Sequence, residues 1–91
     1  MSNLTSFNVV YDRDADVLYF SAKTVPASRS VMDDRGILWR FDADGLLIGA
    51  TIMDFDEFWR TRHVELAAQL SRKFDLPAKQ TKAILDHAAA K

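Results

Sequence analysis

The chain predicts an α+β fold: an antiparallel β-meander of four to five strands, then a two-helix hairpin, assembled as a homodimer. Three observations lead there. Up to about residue 56 apolar and polar side chains alternate with the period of strands, whereas from about residue 57 they recur every three to four positions. The charge divides at nearly the same place: residues 1–57 hold 5 Lys/Arg against 10 Asp/Glu, and residues 58–91 hold 7 against 3. A chain of 91 residues buries only roughly 60–65% of its unfolded surface, so a second copy would enlarge a modest core. The domain reading is an acidic β-meander domain over 1–56 and a basic two-helix hairpin over 57–91, the latter a dimerisation or binding element.

Phe7, Val9 and Tyr11 alternate with Asn8 and Val10 as a first strand. Asp12-Arg13-Asp14-Ala15-Asp16 is rich in turn formers. Val17 to Ala22 is β-branched and aromatic, the strongest strand signal in the chain, and so short a polar link makes the pair a hairpin. Val25-Pro26-Ala27-Ser28 breaks the pattern as a loop, and Ser30 to Asp33 reads as a short edge strand. Gly36 opens the strand Ile37 to Phe41, Asp42-Ala43-Asp44-Gly45 turns with glycine supplying positive φ, and Leu46 to Met53 runs back antiparallel. Ile48, Ala50 and Ile52 share one face, and Ile37, Trp39 and Phe41 are the set expected across from them.

Asp54 or Asp56 is the expected cap of a helix starting near Glu57. Val64, Ala67, Leu70 or Ser71, and Phe74 make one helical stripe; Thr81, Ile84, Leu85 and Ala88 make a second. Pro77 closes the first helix and suits the start of the next. Val64, Leu70, Phe74, Ile84 and Leu85 are the residues nominated for the dimer seam or core.

Composition narrows the chemistry. Without cysteine there are no disulfides, thiolate nucleophiles or Cys-ligated metals. The apolar stretches are far too short for a bilayer and no charged-then-apolar leader is recognised, so a cytoplasmic protein with no membrane association is expected. Asp12, Asp14 and Asp16 have the opening spacing of a calcium loop, but Val17 and Lys23 stand where that loop needs Gly and Glu. Asp33-Asp34 and Asp54, Asp56, Glu57 are carboxylate pairs at turn and cap positions, which are wet and poorly suited to acid–base work. His63 and His87 lack the i+4 histidine of a helical metal pair and are assigned surface roles near helix ends. Trp39, Phe41, Phe55, Phe58 and Trp59 are read as core rather than base-stacking platforms. No catalytic, cofactor-binding or metal residue is nominated, and no cofactor. Arg72, Lys73, Lys79 and Lys82 are the candidates for nucleic-acid contact.

The order Tyr11-Asp12, Ala15-Asp16-Val17-Leu18-Tyr19-Phe20, Gly36-Ile37, Asp42-Ala43-Asp44-Gly45, Ile48-Gly49 resembles a bacterial family, the domain of unknown function 2283, over roughly residues 7–56. The family's frequent G-I-E-I stands here as Gly49-Ala50-Thr51-Ile52, so no role passes to its acidic residue. The resemblance implies a small β-meander without established catalytic residues, often encoded beside small toxin-like genes. Residues His63 to Asp86 are similar to the N-terminal helical hairpin of histone-like HU proteins. There the hairpin mainly builds the dimer while β-arms grip DNA, so this likeness implies dimerisation.

The expected function is a non-enzymatic protein–protein interaction module, antitoxin-like in that an acidic sheet complements a basic partner. The alternative is a nucleic-acid-binding or regulatory protein that uses the basic helix-turn-helix-like tail.

Overall fold

The computed structural model describes residues 7–23 and 25–90. They form two compact units divided between Met53 and Asp54.

The first unit is one five-stranded sheet: β1 (Asn8–Asp12), β2 (Val17–Ser21), β3 (Arg29–Met32), β4 (Ile37–Phe41) and β5 (Leu47–Met53). Every neighbouring pair is antiparallel, as expected, and the order is β1-β2-β5-β4-β3. Two runs of consecutive strands, β1–β2 and β3–β4–β5, thus meet with β5 beside β2 at the centre. The link after β2 leads to the far edge, where β3 lies one residue earlier than its sequence pattern suggests.

The turns explain the register. Asp33 and Asp42 do the same work: the backbone carbonyl of each accepts from the glycine three residues on, and the backbone N–H of each donates to the carbonyl four residues on. Each Asp Oδ1 also accepts from the amides two and four residues ahead. Gly36 and Gly45 take φ of 85° and 83°, where a side chain would be strained. This is a type I turn with a glycine bulge, which matches the twist of the strands it joins. Between β1 and β2 the left-handed position is filled by Asp16, φ 57°, and Asp12 Oδ1 accepts from the amides of Asp14 and Ala15.

One face of the sheet is buried. Its rows are Val9-Phe20-Ala50-Trp39-Val31 and Tyr11-Leu18-Ile52-Ile37, and Leu18, Phe20, Ile37, Trp39, Ala50 and Ile52 are sequestered from solvent. Ile37 and Trp39 pair with Ile52 and Ala50 as expected. Phe41 does not reach Ile48: an irregularity at Arg40/Phe41 shifts it to Leu47.

The second unit holds α1 (His63–Phe74) and α2 (Ala78–Ala89). The expected start of α1 near Glu57, capped by Asp54 or Asp56, is not what forms. Asp54 adopts φ 55° and its carbonyl accepts from Phe58 and Trp59 N–H, followed by a turn in which Arg62 N–H donates to Trp59 O, so that turns and not a helix fill residues 55–61. The N-cap is Arg62, without a side-chain hydrogen bond. Asp75, left-handed at φ 56°, ends α1, and Leu76 N–H donates back to Ser71 O. Pro77 is the N-cap of α2, and its carbonyl takes both the amide and the hydroxyl of Thr81.

Leu70 and Leu85 are fully buried, whereas Phe74 and Ile84 are half-buried at the margin of the stripe. Val64 is 68% exposed. The buried face of α1 is Leu66, Ala67 and Leu70, and Val64, at the edge of that stripe, is no part of the core. Phe55 and Trp59 are buried, but Phe58 is exposed with the Arg62 guanidinium over its ring at 4.5 Å. No helix among the described residues is long and apolar enough to cross a membrane.

Candidate interaction surface

The second sheet face is open. Register places Val10, Tyr19, Thr51, Leu38 and Met32 in one row across all five strands. Val10, Tyr19 and Met32 in that row are 50%, 40% and 51% exposed. Thr51 at the centre of the row is buried and Leu38 half-buried, so the exposed apolar surface is Val10 and Tyr19 on one side and Met32 on the other.

Beside it runs a polar row: Asn8, Ser21, Gly49, Arg40 and Ser30. Arg40 lies along the sheet, with Nη2 donating to Ser21 Oγ at 3.1 Å and to Phe20 O at 3.4 Å. Gly49 makes this possible. A Cβ there would stand 2.3 Å from Arg40 Nη2, 2.7 Å from Cζ and 3.0 Å from Phe20 O. Arg40 Nε is buried without a hydrogen-bond partner. A guanidinium cannot be deprotonated, so a fixed positive charge sits in the middle of a sheet whose turns are acidic.

Those acids are largely committed to structure. Asp12, Asp33 and Asp42 cap their turns, Asp33 Oδ2 also accepts from Trp39 Nε1 at 3.1 Å, and Asp16 accepts from Tyr11 Oη at 2.7 Å. Asp14, Asp34 and Asp44 are exposed at the turn crests. Among the described residues no three His, Asp or Glu side chains gather as a metal site would require.

In the helical unit, Arg72 and Lys73 end α1 and Lys79 begins α2, so these exposed cations flank the same connection. Lys82 differs from them: its Nζ donates to Asp86 Oδ2 at 2.8 Å. Asp86 Oδ1 stands 2.6 Å from His63 Nδ1, tying the first residue of α1 to the last turn of α2. His63 is not a surface residue. Its side chain is 10% exposed, stacked on Phe55 with ring centroids 5.3 Å apart, and its Nε2 is buried without a partner. His87 is exposed in the last turn of α2.

The hydrogen bond from His63, then that from Lys82, hold the Asp86 carboxyl below its ordinary value. A carboxyl depressed on folding contributes stability above its unfolded value of about 3.9 and loses it as pH falls through the folded value. Asp86→Asn is therefore expected to be less stable than the parent at neutral pH, by less than about 1 kcal/mol because the group is half exposed. The gap should narrow as pH falls through the lowered folded value. Thermal melts at neutral and progressively acid pH measure it, and a gap unchanged in acid would show that charge is not the cause.

Neither Arg40 nor the His63–Asp86 link is evident from local spacing. The one signal for the first is a glycine in mid-strand, which marks close approach of another group. The sequence pattern of a family described as "Protein of unknown function (DUF2283)" matches residues 8–56, which include every strand. No curated protein and no solved structure matches this sequence, so the likeness of the hairpin to HU rests on its residues alone.

Proposed function

The chain belongs to the DUF2283 family, and from that premise we propose that it is a non-enzymatic protein–protein interaction module, antitoxin-like in neutralising a small basic partner. The observation that carries this reading is the cross-strand row Val10-Tyr19-Thr51-Leu38-Met32, in which the apolar Val10, Tyr19 and Met32 are exposed on either side of a buried Thr51. Apolar side chains lie at the centre of contact patches and charged ones at the rim. Here the rim is the exposed Asp14, Asp34 and Asp44 of the turn crests, which would steer a cationic partner.

Affinity capture from nuclease-treated native lysate, read by mass spectrometry, tests it with one variant. Val10→Lys plus Tyr19→Glu removes apolar surface while setting opposite charges across from each other, an arrangement compatible with strand pairing. A stoichiometric small protein retained by the parent and lost from the folded variant is the expected result. Equal capture by both moves the contact off this face.

The exposed Arg72, Lys73 and Lys79 around the α1–α2 connection support a second reading, phosphate contact by the basic helices. Its mark is affinity falling steeply with salt, each phosphate contact adding roughly 0.7–0.9 to the logarithmic slope. Arg72→Glu plus Lys79→Glu should abolish such binding; unchanged affinity excludes these helices as the contact.

A further inference from the structure

The far edge of the sheet carries a code that complements itself. All four residues of β3 are exposed, and its pairing with β4 shows which backbone groups are spent inside the sheet. Asp33 N–H donates to Ile37 O at 3.0 Å. Antiparallel ladders alternate hydrogen-bonded and non-hydrogen-bonded pairs, so Val31 and Arg29, opposite Trp39 and Phe41, also direct their backbone groups at β4. Ser28 N–H joins Phe41 O at 2.8 Å as a bulge at the strand entrance. Ser30 and Met32 therefore direct their N–H and C=O outward, away from the sheet. Edges of this kind are usually blunted by Lys, Pro or a charge at the outward positions. β3 has Ser and Met there.

We infer that two copies of this protein pair through β3, antiparallel about a two-fold axis at Val31, giving one continuous sheet. In that register Ser30 and Met32 exchange both backbone hydrogen bonds with the partner's Met32 and the partner's Ser30. Val31 meets the partner's Val31 in a non-hydrogen-bonded pair. Arg29 then lies opposite the partner's Asp33, and Asp33 opposite the partner's Arg29.

That charge complementarity selects both the edge and the register. Arg29 has the Phe41 ring at 4.9 Å but forms no ion pair with any described carboxylate. Asp33 lies four positions further along the same face of the strand, its Oδ2 already drawn to that side by Trp39 Nε1. Arg29, Ser30, Val31, Met32 and Asp33 place a cation and an anion symmetrically about Val31, so self-pairing sets unlike charges together twice. The opposite edge has no such property. Self-pairing of β1 would set Asn8 against the partner's Asp12 and Val9 against the partner's Tyr11. Moving the β3 register by two residues would set Arg29 against the partner's Val31 and forfeit both ion pairs. Val31, 46% exposed in the single protomer, would be covered. This pairing uses the strand edge and does not depend on what binds the open face.

The protein has no cysteine, so a single introduced thiol reports the register. Facing residues in a non-hydrogen-bonded pair have Cα atoms about 4.5 Å apart, within disulfide range. Oxidised Val31→Cys is expected to run as a covalent dimer. Met32→Cys, which faces the partner's Ser30 across the opposite side of the sheet, is not. Sedimentation equilibrium on the cysteine-free protein should show a dimer that Ser30→Pro weakens about tenfold or more, because proline deletes an outward N–H and leaves the bonds to β4 intact. Arg29→Glu, which sets two carboxylates together and does not touch backbone geometry, serves should Ser30→Pro fail to fold. A protein that remains monomeric at its solubility limit overturns the proposal. So does a dimer whose strength neither folded variant changes, or a Val31→Cys variant that cross-links no better than Met32→Cys.

Discussion

Asp33→Ala is expected to destabilise the protein by about 2–4 kcal/mol, more than any other single turn substitution, because three donors lose one carboxylate together. Oδ1 accepts from the amides of Arg35 and Ile37, and Oδ2 accepts from the indole of Trp39, whose side chain is buried. A partly buried donor left without an acceptor costs its full desolvation, about 1–3 kcal/mol, whereas an exposed one turns to water. Asp42 supplies the matched control. It closes an equivalent turn with the same pattern on Asp44 and Leu46 but accepts from no side chain, so Asp42→Ala should cost only about 1–2 kcal/mol. Urea unfolding of the two variants measures the difference. Equal losses would show that the Trp39 bond contributes nothing.

Gly49→Val is expected to cost about 1–3 kcal/mol, the range for overpacking, although the substitution adds only apolar atoms to a strand. Any Cβ at this position collides with the Arg40 guanidinium and closely approaches Phe20 O, so Arg40 must leave its hydrogen bonds to Ser21 and Phe20. The collision makes the two sites interdependent. In an Arg40→Ala background Gly49→Ala should cost less than in the parent, with a coupling of about 1 kcal/mol in a double-mutant cycle. Additive losses would mean that the approach to Phe20 O, and not the arginine, dictates glycine.

The residues differ in how much of their role local pattern reveals. Asp42-Ala43-Asp44-Gly45 is legible because a type I turn with a glycine bulge is specified within its own few residues. Val17 to Ser21 is legible because β-branched and aromatic side chains alternate there on a half-buried strand. The onset of α1 is less so. Asp54, Asp56 and Glu57 are acceptable N-terminal residues by type, but the left-handed conformation of Asp54 turns the backbone before a helix can propagate. Val64 fits the helical period, but burial on α1 centres on Leu66, Ala67 and Leu70 and leaves it exposed, because the period gives a stripe without saying which edge of it is covered. The tie between His63 and Asp86 spans 23 positions and has no local trace.

By itself the sequence determined the α+β class, the antiparallel strands, the turn chemistry and the family, since each depends on residues near one another along the backbone. The tertiary structure alone decided that β5 lies between β2 and β4 and that Arg40 rests on Gly49. It also decided that Ser30 and Met32 turn their backbone groups outward at a free edge. Period-two alternation states that a strand has two faces, but not which neighbour completes its hydrogen bonds; pairing energy is realised only when distant segments meet.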